Sequence, residues 1–259
     1  MLFKRIIPVL LLNDGSLVKT VNFRNADYIG DPCNTAKIFN ELNADELIVL
    51  DIGKSKGNLA PDFDLIAALA RECFMPLTYG GGIHKLEHAE MLFRAGVEKV
   101  SINTRNFFDL KFAQTLAGQF GSQALVASID VKQDFFGKSR IWNHAKRSFI
   151  KTDPVVYAKS LEDSGFGEIL ITSVDREGTW QGIDPEIAEK MSSAVSIPCI
   201  INGGIGSFSD IDTAFKTNVS AVGVSSYFLY QKKNFGVLVN IPSEVKSFRE
   251  QGFVYETFT

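Results

Sequence analysis

Short apolar runs alternate with amphipathic stretches along the whole chain. In the run 5–12, Val9 to Leu12 is unbroken hydrophobic, as in a strand buried on both faces. Similar runs rich in Val and Ile predict strands at 46–52, 76–79, 99–103, 124–130, 168–173, 198–201 and 221–225. Between them, apolar residues recur at helical spacing over 34–42, 86–94, 154–164, 185–193 and 208–216. Eight strand–helix units fit the 259 residues of an α/β chain closed into one (β/α)8, or TIM, barrel.

The pattern also repeats. One fixed shift carries Asp31-Pro32 onto Asp153-Pro154, Ala36-Lys37 onto Ala158-Lys159, and Glu46 onto Glu168. The same shift takes Pro76 to Pro198, Gly81-Gly82-Ile83 to Gly203-Gly204-Ile205, and Asn103 to Ser225. The expected organisation is a single domain, 1–259, built from half-barrels of about 1–122 and 123–259. A half-barrel alone would leave open sheet edges, so matched halves favour closure over a doubly wound open sheet. No linker or low-complexity segment argues for a second domain.

Composition narrows the function classes. Hydrophobic residues make up 45%, enough for a full core, and a net charge of −3 gives no support for nucleic-acid or membrane-surface binding. Cys33, Cys73 and Cys199 are odd in number and widely spaced, which suggests neither a disulfide framework nor a zinc site. Lys4-Arg5 before an apolar run could pass for a secretion signal, but Pro8 and the Asn13-Asp14-Gly15 turn interrupt it. No stretch reaches the length of a membrane span. The expectation is a cytoplasmic protein.

Chemistry is expected at the carboxyl ends of the strands. The strongest signal is "TYGGGIHKLEHAEMLFRAGVEKVSINT", 78–104, echoed by "IINGGIGSFSDIDTAFKTNVSAVGVSS", 200–226. In each a strand enters a glycine cluster, a helix follows, and the next strand ends on small polar residues, Asn103-Thr104 or Ser225-Ser226. Glycines let the backbone approach a ligand, and helix N-termini favour anions. One such cluster could be only a tight turn; two point to two phosphate sites on opposite sides of the mouth. Asp51, Asp130 and Asp175, with Thr172-Ser173, share that rim as general acid–base candidates, each weighed against a capping role. Asp130, ending "LVASID", is the best placed.

Arg5, Glu46, Lys99 and Glu168 fall instead at strand starts, ringing the opposite end, where a salt-bridge plug accounts for them. His84 and His88 have metal-compatible spacing but no third ligand, and read as a solvated helix face. The aromatic and basic stretch 132–151 reads as a loop folding over an anionic substrate rather than a nucleic-acid patch. No metal or cofactor is called for.

Together "KRIIPVLLLNDG", "GDP", "ADELIVLDI", "GGGI", "KVSINT", "FGSQ", "GEILITSVDREGT" and "INGGIG" resemble the cyclase subunit of imidazole glycerol phosphate synthase over nearly the whole chain. The resemblance implies a barrel that receives ammonia from a glutaminase docked at its base, in a heterodimer, and closes an imidazole ring on a bisphosphorylated substrate at its top. It implies phosphate contacts at Gly82, Asn103, Thr104, Gly178, Gly204, Ser225 and Ser226, a first-loop lysine at Lys19, and a catalytic aspartate at Asp130. It also makes Arg5, Glu46, Lys99 and Glu168 an ammonia gate.

The family's other catalytic aspartate aligns with Leu11, which cannot move a proton. Glu177 stands for an aspartate and Asn202 for a small hydroxyl residue. That pattern resembles a divergent branch serving surface-polysaccharide biosynthesis, in which ammonia and a separate sugar amidotransferase turn an acetamido sugar into an acetamidino sugar. The alternatives are a histidine-pathway cyclase that tolerates Leu11, and a non-catalytic activator of the glutaminase.

Overall fold

A computed structural model describes residues 4–57, 59–103, 109–233 and 235–250. The first strand, β1 (Arg5–Asn13), does not stop where the apolar run stops. Asp14-Gly15, both at positive φ (49° and 77°), turn the chain back into β2 (Ser16–Val21). Positive φ at both central residues makes the tight turn whose twist suits a hairpin. A second such turn at Asn22-Phe23 leads to β3 (Arg24–Gly30). A three-stranded excursion therefore rises from the mouth, where sequence pattern suggested only a loop.

The chain then alternates: α1 (Pro32–Glu41), β4 (Leu47–Asp51), α2 (Ile52–Gly57), α3 (Phe63–Glu72), β5 (Leu77–Gly80), α4 (Leu86–Arg94), β6 (Lys99–Ile102) and α5 (Leu110–Phe120). The second half gives β7 (Leu125–Gln133), its antiparallel extension β8 (Ser139–Asn143) and β9 (Ser148–Phe149), then α6 (Pro154–Asp163) and β10 (Glu168–Ser173). It ends in α7 (Pro185–Ser192), β11 (Cys199–Asn202), α8 (Phe208–Phe215), β12 (Ala221–Val224), α9 (Ser226–Leu229) and α10 (Ser243–Glu250).

Eight strands pair in parallel in the order β1-β4-β5-β6-β7-β10-β11-β12, and β12 pairs back onto β1. The sheet is a closed barrel with helices between its strands, and all eight barrel strands lie where the apolar runs place them. Helix starts follow local chemistry. Asp31, Asp153 and Asp184 each accept a backbone N–H as N-cap, and proline follows at the first helical position. This is why α1 begins at Pro32, two residues before its apolar periodicity. A capping box of Ser207 and Asp210 opens α8.

Two cores result. Phe39, Leu69, Leu92, Leu116, Leu161, Met191 and Phe215 fill the layer between strands and helices. Ile7, Val9, Ile48, Val126, Leu170 and Ile200 fill the barrel axis, with Leu50 half-buried against them. Among the described residues, no helix is long and apolar enough to cross a membrane.

Candidate active site at the barrel mouth and charged ring at its base

At the base, the four strand-start charges close on one another. Arg5 donates Nη1 to Glu46 and Nη2 to Glu168, the latter at 2.5 Å. Lys99 Nζ reaches Glu168 Oε2 at 2.8 Å and Glu46 Oε2 at 3.3 Å. The result is a ring of alternating sign across the barrel axis. Glu46 and Glu168 are buried, and Arg5 and Lys99 are partly exposed to the outside. Proximity to both glutamates holds the Arg5 guanidinium up against the burial that opposes its charge.

At the mouth a cavity of about 320 Å³ draws lining residues from all eight barrel strands. Of the sequence-predicted site residues, it gathers Leu11, Lys19, Gly82, Asn103, Asp130, Gly178, Gly204, Ser225 and Ser226. Thr104 lies outside the described residues.

Asp130 sits in the cavity wall at 6% exposure. Burial pushes its carboxyl up to about 7, opposed by the Asn103 amide, whose Nδ2 donates to Oδ2 at 2.9 Å. Beside it, Asn202 Nδ2 donates to Thr172 Oγ1 at 3.2 Å, so the ends of β10 and β11 present an amide–hydroxyl pair. Asp51 lines the same cavity, caps α2 by accepting from Lys54 N at 3.0 Å, and is pushed up by burial. Asp175 is engaged elsewhere, accepting from Gln133 N at 2.7 Å to tie the loop after β10 to β7. Leu11 occupies the β1 side of the wall, paired in register with Val18 and Leu50.

Lys19 is buried in an ion pair with Glu177, whose other oxygen accepts from Thr20 Oγ1 at 3.0 Å and Phe23 N at 3.2 Å. Burial pulls the lysine ammonium down to about 7. Asn22 adds Nδ2 bonds to the carbonyls of Val174 and Asp175. The β2–β3 hairpin is thereby fastened across the mouth onto the loop after β10. Neither the hairpin nor this latch was visible in periodicity; the only signals were Lys19 and Glu177 themselves, which the resemblance had singled out.

The glycines answer first to the chain itself. A Cβ at Gly82 would stand 2.3 Å from the Leu59 carbonyl oxygen, and one at Gly204 would stand 2.0 Å from that of Gly182. Both positions need glycine whatever occupies the mouth.

Two expectations are corrected. His84 precedes α4 and lines the cavity, while His88 is buried beneath Phe63 and His84, its Nδ1 lying 3.1 Å from the Gly82 carbonyl oxygen. They are not a solvated helix face, because the helix begins only at Leu86 and its first buried turn faces the glycine loop. In the stretch 132–151 only His144 and Ala145 belong to the cavity. Phe135 and Phe136 are 97% and 89% exposed at a hairpin tip, and Trp142 carries the Lys132 ammonium over its ring and meets Phe149 edge-on.

A family model described as "Histidine biosynthesis protein" matches residues 5–234. The chain belongs to that family. Within it, the chain is 46% identical over 243 residues to a Pseudomonas aeruginosa protein with the provisional name imidazole glycerol phosphate synthase subunit hisF2, covering 93% of this chain and 97% of that one. Proteins of Leptospira interrogans and Campylobacter jejuni with the same kind of provisional name are 42% and 38% identical. The coverage is 94% and 98% of this chain, and 96% and 98% of theirs. The chain is thus a member of the cyclase-subunit family of imidazole glycerol phosphate synthase.

Proposed function

We propose that this barrel is the ammonia-conducting subunit of a glutamine-dependent enzyme, acting with a glutaminase partner in acetamidino-sugar formation for surface polysaccharide. The observation that carries this reading is the contrast between the two ends. The base keeps a complete ring of four charges, while the mouth presents Leu11 where the resemblance implies a carboxylate.

Ammonia arriving at the base meets the ring. Its longest bond, Lys99 to Glu46 at 3.3 Å, is the one whose opening admits a small molecule at least cost. Beyond it the axis is packed with the side chains of Ile7, Val9, Ile48, Val126, Leu170 and Ile200, and ammonia crosses by passing between them. An apolar passage penalises ammonium by several kcal/mol relative to neutral ammonia, so only the nucleophilic form is carried through. At the mouth Asp130, with a pKa of about 7, exists in both protonation states near neutrality and exchanges a proton with the acceptor. The acceptor is a phosphorylated or nucleotide-linked small molecule held between the two glycine clusters. A separate sugar amidotransferase completes the reaction.

Two measurements test the reading. Co-purification with a glutaminase subunit from the same organism, together with a glutamate-release assay, should show a complex and a stimulated partner; no complex at micromolar concentrations overturns the proposal. Steady-state turnover of the histidine-pathway substrate with added ammonia should be very slow. One missing acid–base group costs about 10²–10⁴-fold. A rate on the order of 1 s⁻¹ or more makes the chain an ordinary histidine-pathway cyclase instead.

A further inference from the structure

The stretch 132–151 takes little part in the cavity, and the ribbon it forms with the end of β7, β8 and β9 turns its aromatic residues outward. Its tip is held in one geometry. Gly137 N donates to the Asp134 carbonyl oxygen, and Asp134 N donates to that of Lys138, both at 2.9 Å. The Asp134 carboxylate accepts from Phe136 N at 2.9 Å, Lys138 N at 3.0 Å and Arg140 Nε at 2.5 Å. Gly137 closes the turn at a φ of 76°. One acid therefore fixes the tip that carries Phe135 and Phe136, whose rings meet edge-on with centroids 5.6 Å apart and stand almost wholly in water.

The aromatic face continues down the ribbon. Lys132 pairs with Arg140 and Trp142 with Phe149, so strand alternation puts all four on one face. Ile141 and Asn143, on the other face of β8, are buried. Lys132 Nζ lies 4.6 Å from the centre of the Trp142 ring, and Phe149 is 39% exposed beside it. The stretch carries Lys132, Lys138, Arg140, Lys146, Arg147 and Lys151 against one acid, Asp134, in a chain whose net charge is −3. His144 and Ala145, in the turn after β8, line the cavity, so the ribbon stands on the rim of the mouth.

We propose that this ribbon is the docking surface for the protein that takes ammonia from the mouth, a partner that meets it with an apolar pocket set in an acidic face. Aromatic rings already held in one geometry lose little freedom on docking, and a basic rim around them steers an acidic partner. A second copy of this chain fits less well. Two-fold pairing would set ribbon against ribbon and like charge against like, and head-to-tail pairing would not close. A bilayer would take the tip and leave Trp142 and Phe149 unused along the ribbon. The proposal rests on the reading that ammonia leaves at the mouth for a second enzyme, the sugar amidotransferase of that reading.

Surface plasmon resonance tests it, with the full chain and a glutaminase subunit presented to a sugar amidotransferase from the same organism and, separately, to phosphatidylglycerol vesicles. The unmodified barrel should bind the amidotransferase, and more weakly as salt rises. Phe135→Ser/Phe136→Ser should weaken that binding by about thirtyfold or more, as loss of an anchor residue does, while its melting temperature and its stimulation of the glutaminase stay unchanged. Lys138→Glu/Arg147→Glu should slow association and flatten the salt dependence. Equal affinity of the phenylalanine variant and the unmodified protein overturns the proposal alone. So does binding to the vesicles in place of the amidotransferase, or a barrel that stimulates the glutaminase but binds neither probe. An unmodified barrel that neither binds the amidotransferase nor stimulates the glutaminase overturns the ammonia reading as well.

Discussion

Asp130 is held in its wall against its own preference, and Asp130→Asn should reveal this as stability gained with pH. The carboxyl has a pKa of about 7 in the folded chain, raised by burial and only partly offset by the Asn103 amide. In the unfolded chain it returns to about 3.9. Below about pH 4 it is protonated in both states and has no effect on stability. Between about pH 4 and pH 7 the unfolded chain binds fewer protons, so stability falls as pH rises. Above about pH 7 it is ionised in both states and the penalty is complete: about three pKa units, or about 4 kcal/mol. The amide has no such titration and keeps an oxygen for Asn103 to donate to. The variant should already melt about 2 °C higher near pH 4.5, where the penalty is about 1 kcal/mol, then progressively higher, by roughly 8 °C above pH 7 at about 2 °C per kcal/mol. Thermal unfolding of both proteins from pH 4.5 to pH 8.5 reads this directly. A difference constant across that range, or a variant that loses ground as pH rises, would refute the argument that burial dominates at this carboxyl.

Lys99→Met should destabilise the chain by about 2–3 kcal/mol, because Glu46 and Glu168 are left with Arg5 alone, and chemical denaturation measures it. Glu177→Ala should cost about 3–5 kcal/mol and expose the hairpin to limited proteolysis, since it strands the buried Lys19 and frees Thr20 and Phe23; a hairpin as resistant as in the unmodified protein contradicts the latch. A crystal soaked in phosphate should show density at both Gly82–Asn103 and Gly204–Ser225, and density at neither leaves the glycines as turns only.

The barrel was legible because its signals are local. Parallel strands buried on both faces read as continuous apolar runs, and Asp-Pro before α1, α6 and α7 marks helix starts. The base ring was legible as alternating charge at strand starts, which topology brings together without any further information. The excursions were not. In β2, "SLVKTV" is too short and too mixed to separate from a loop, and its partner β3 is exposed at five of seven positions. The Lys19–Glu177 pair joins residues 158 apart in sequence, and no periodicity connects them. The histidine pair was misread for a related reason: i,i+4 spacing implies one helix face only if both residues are in the helix, and His84 is not.

The departures at the mouth belong to one physical rearrangement. A lysine buried at 4% exposure needs a counter-charge, and Leu11 in the wall of the same cavity offers none. Glu177 supplies it, and relative to the aspartate that the resemblance implies, its extra methylene extends the reach toward the hairpin. The same carboxylate also takes Thr20 and Phe23, so the group that balances the charge fixes the roof of the cavity. Asn202 completes the change by turning toward Thr172, replacing a small hydroxyl with an amide that fills space and hydrogen-bonds without ionising. What remains is a wall in which Asp130 is tuned near neutrality, with the Asn103 amide donating to it and Asp51 and the Lys19–Glu177 pair lining the same cavity. Such a wall suits one proton exchange beside a polar acceptor. On the proposed reading, a ring closure that moves protons from two opposed carboxylates lacks the one that the resemblance implies at Leu11.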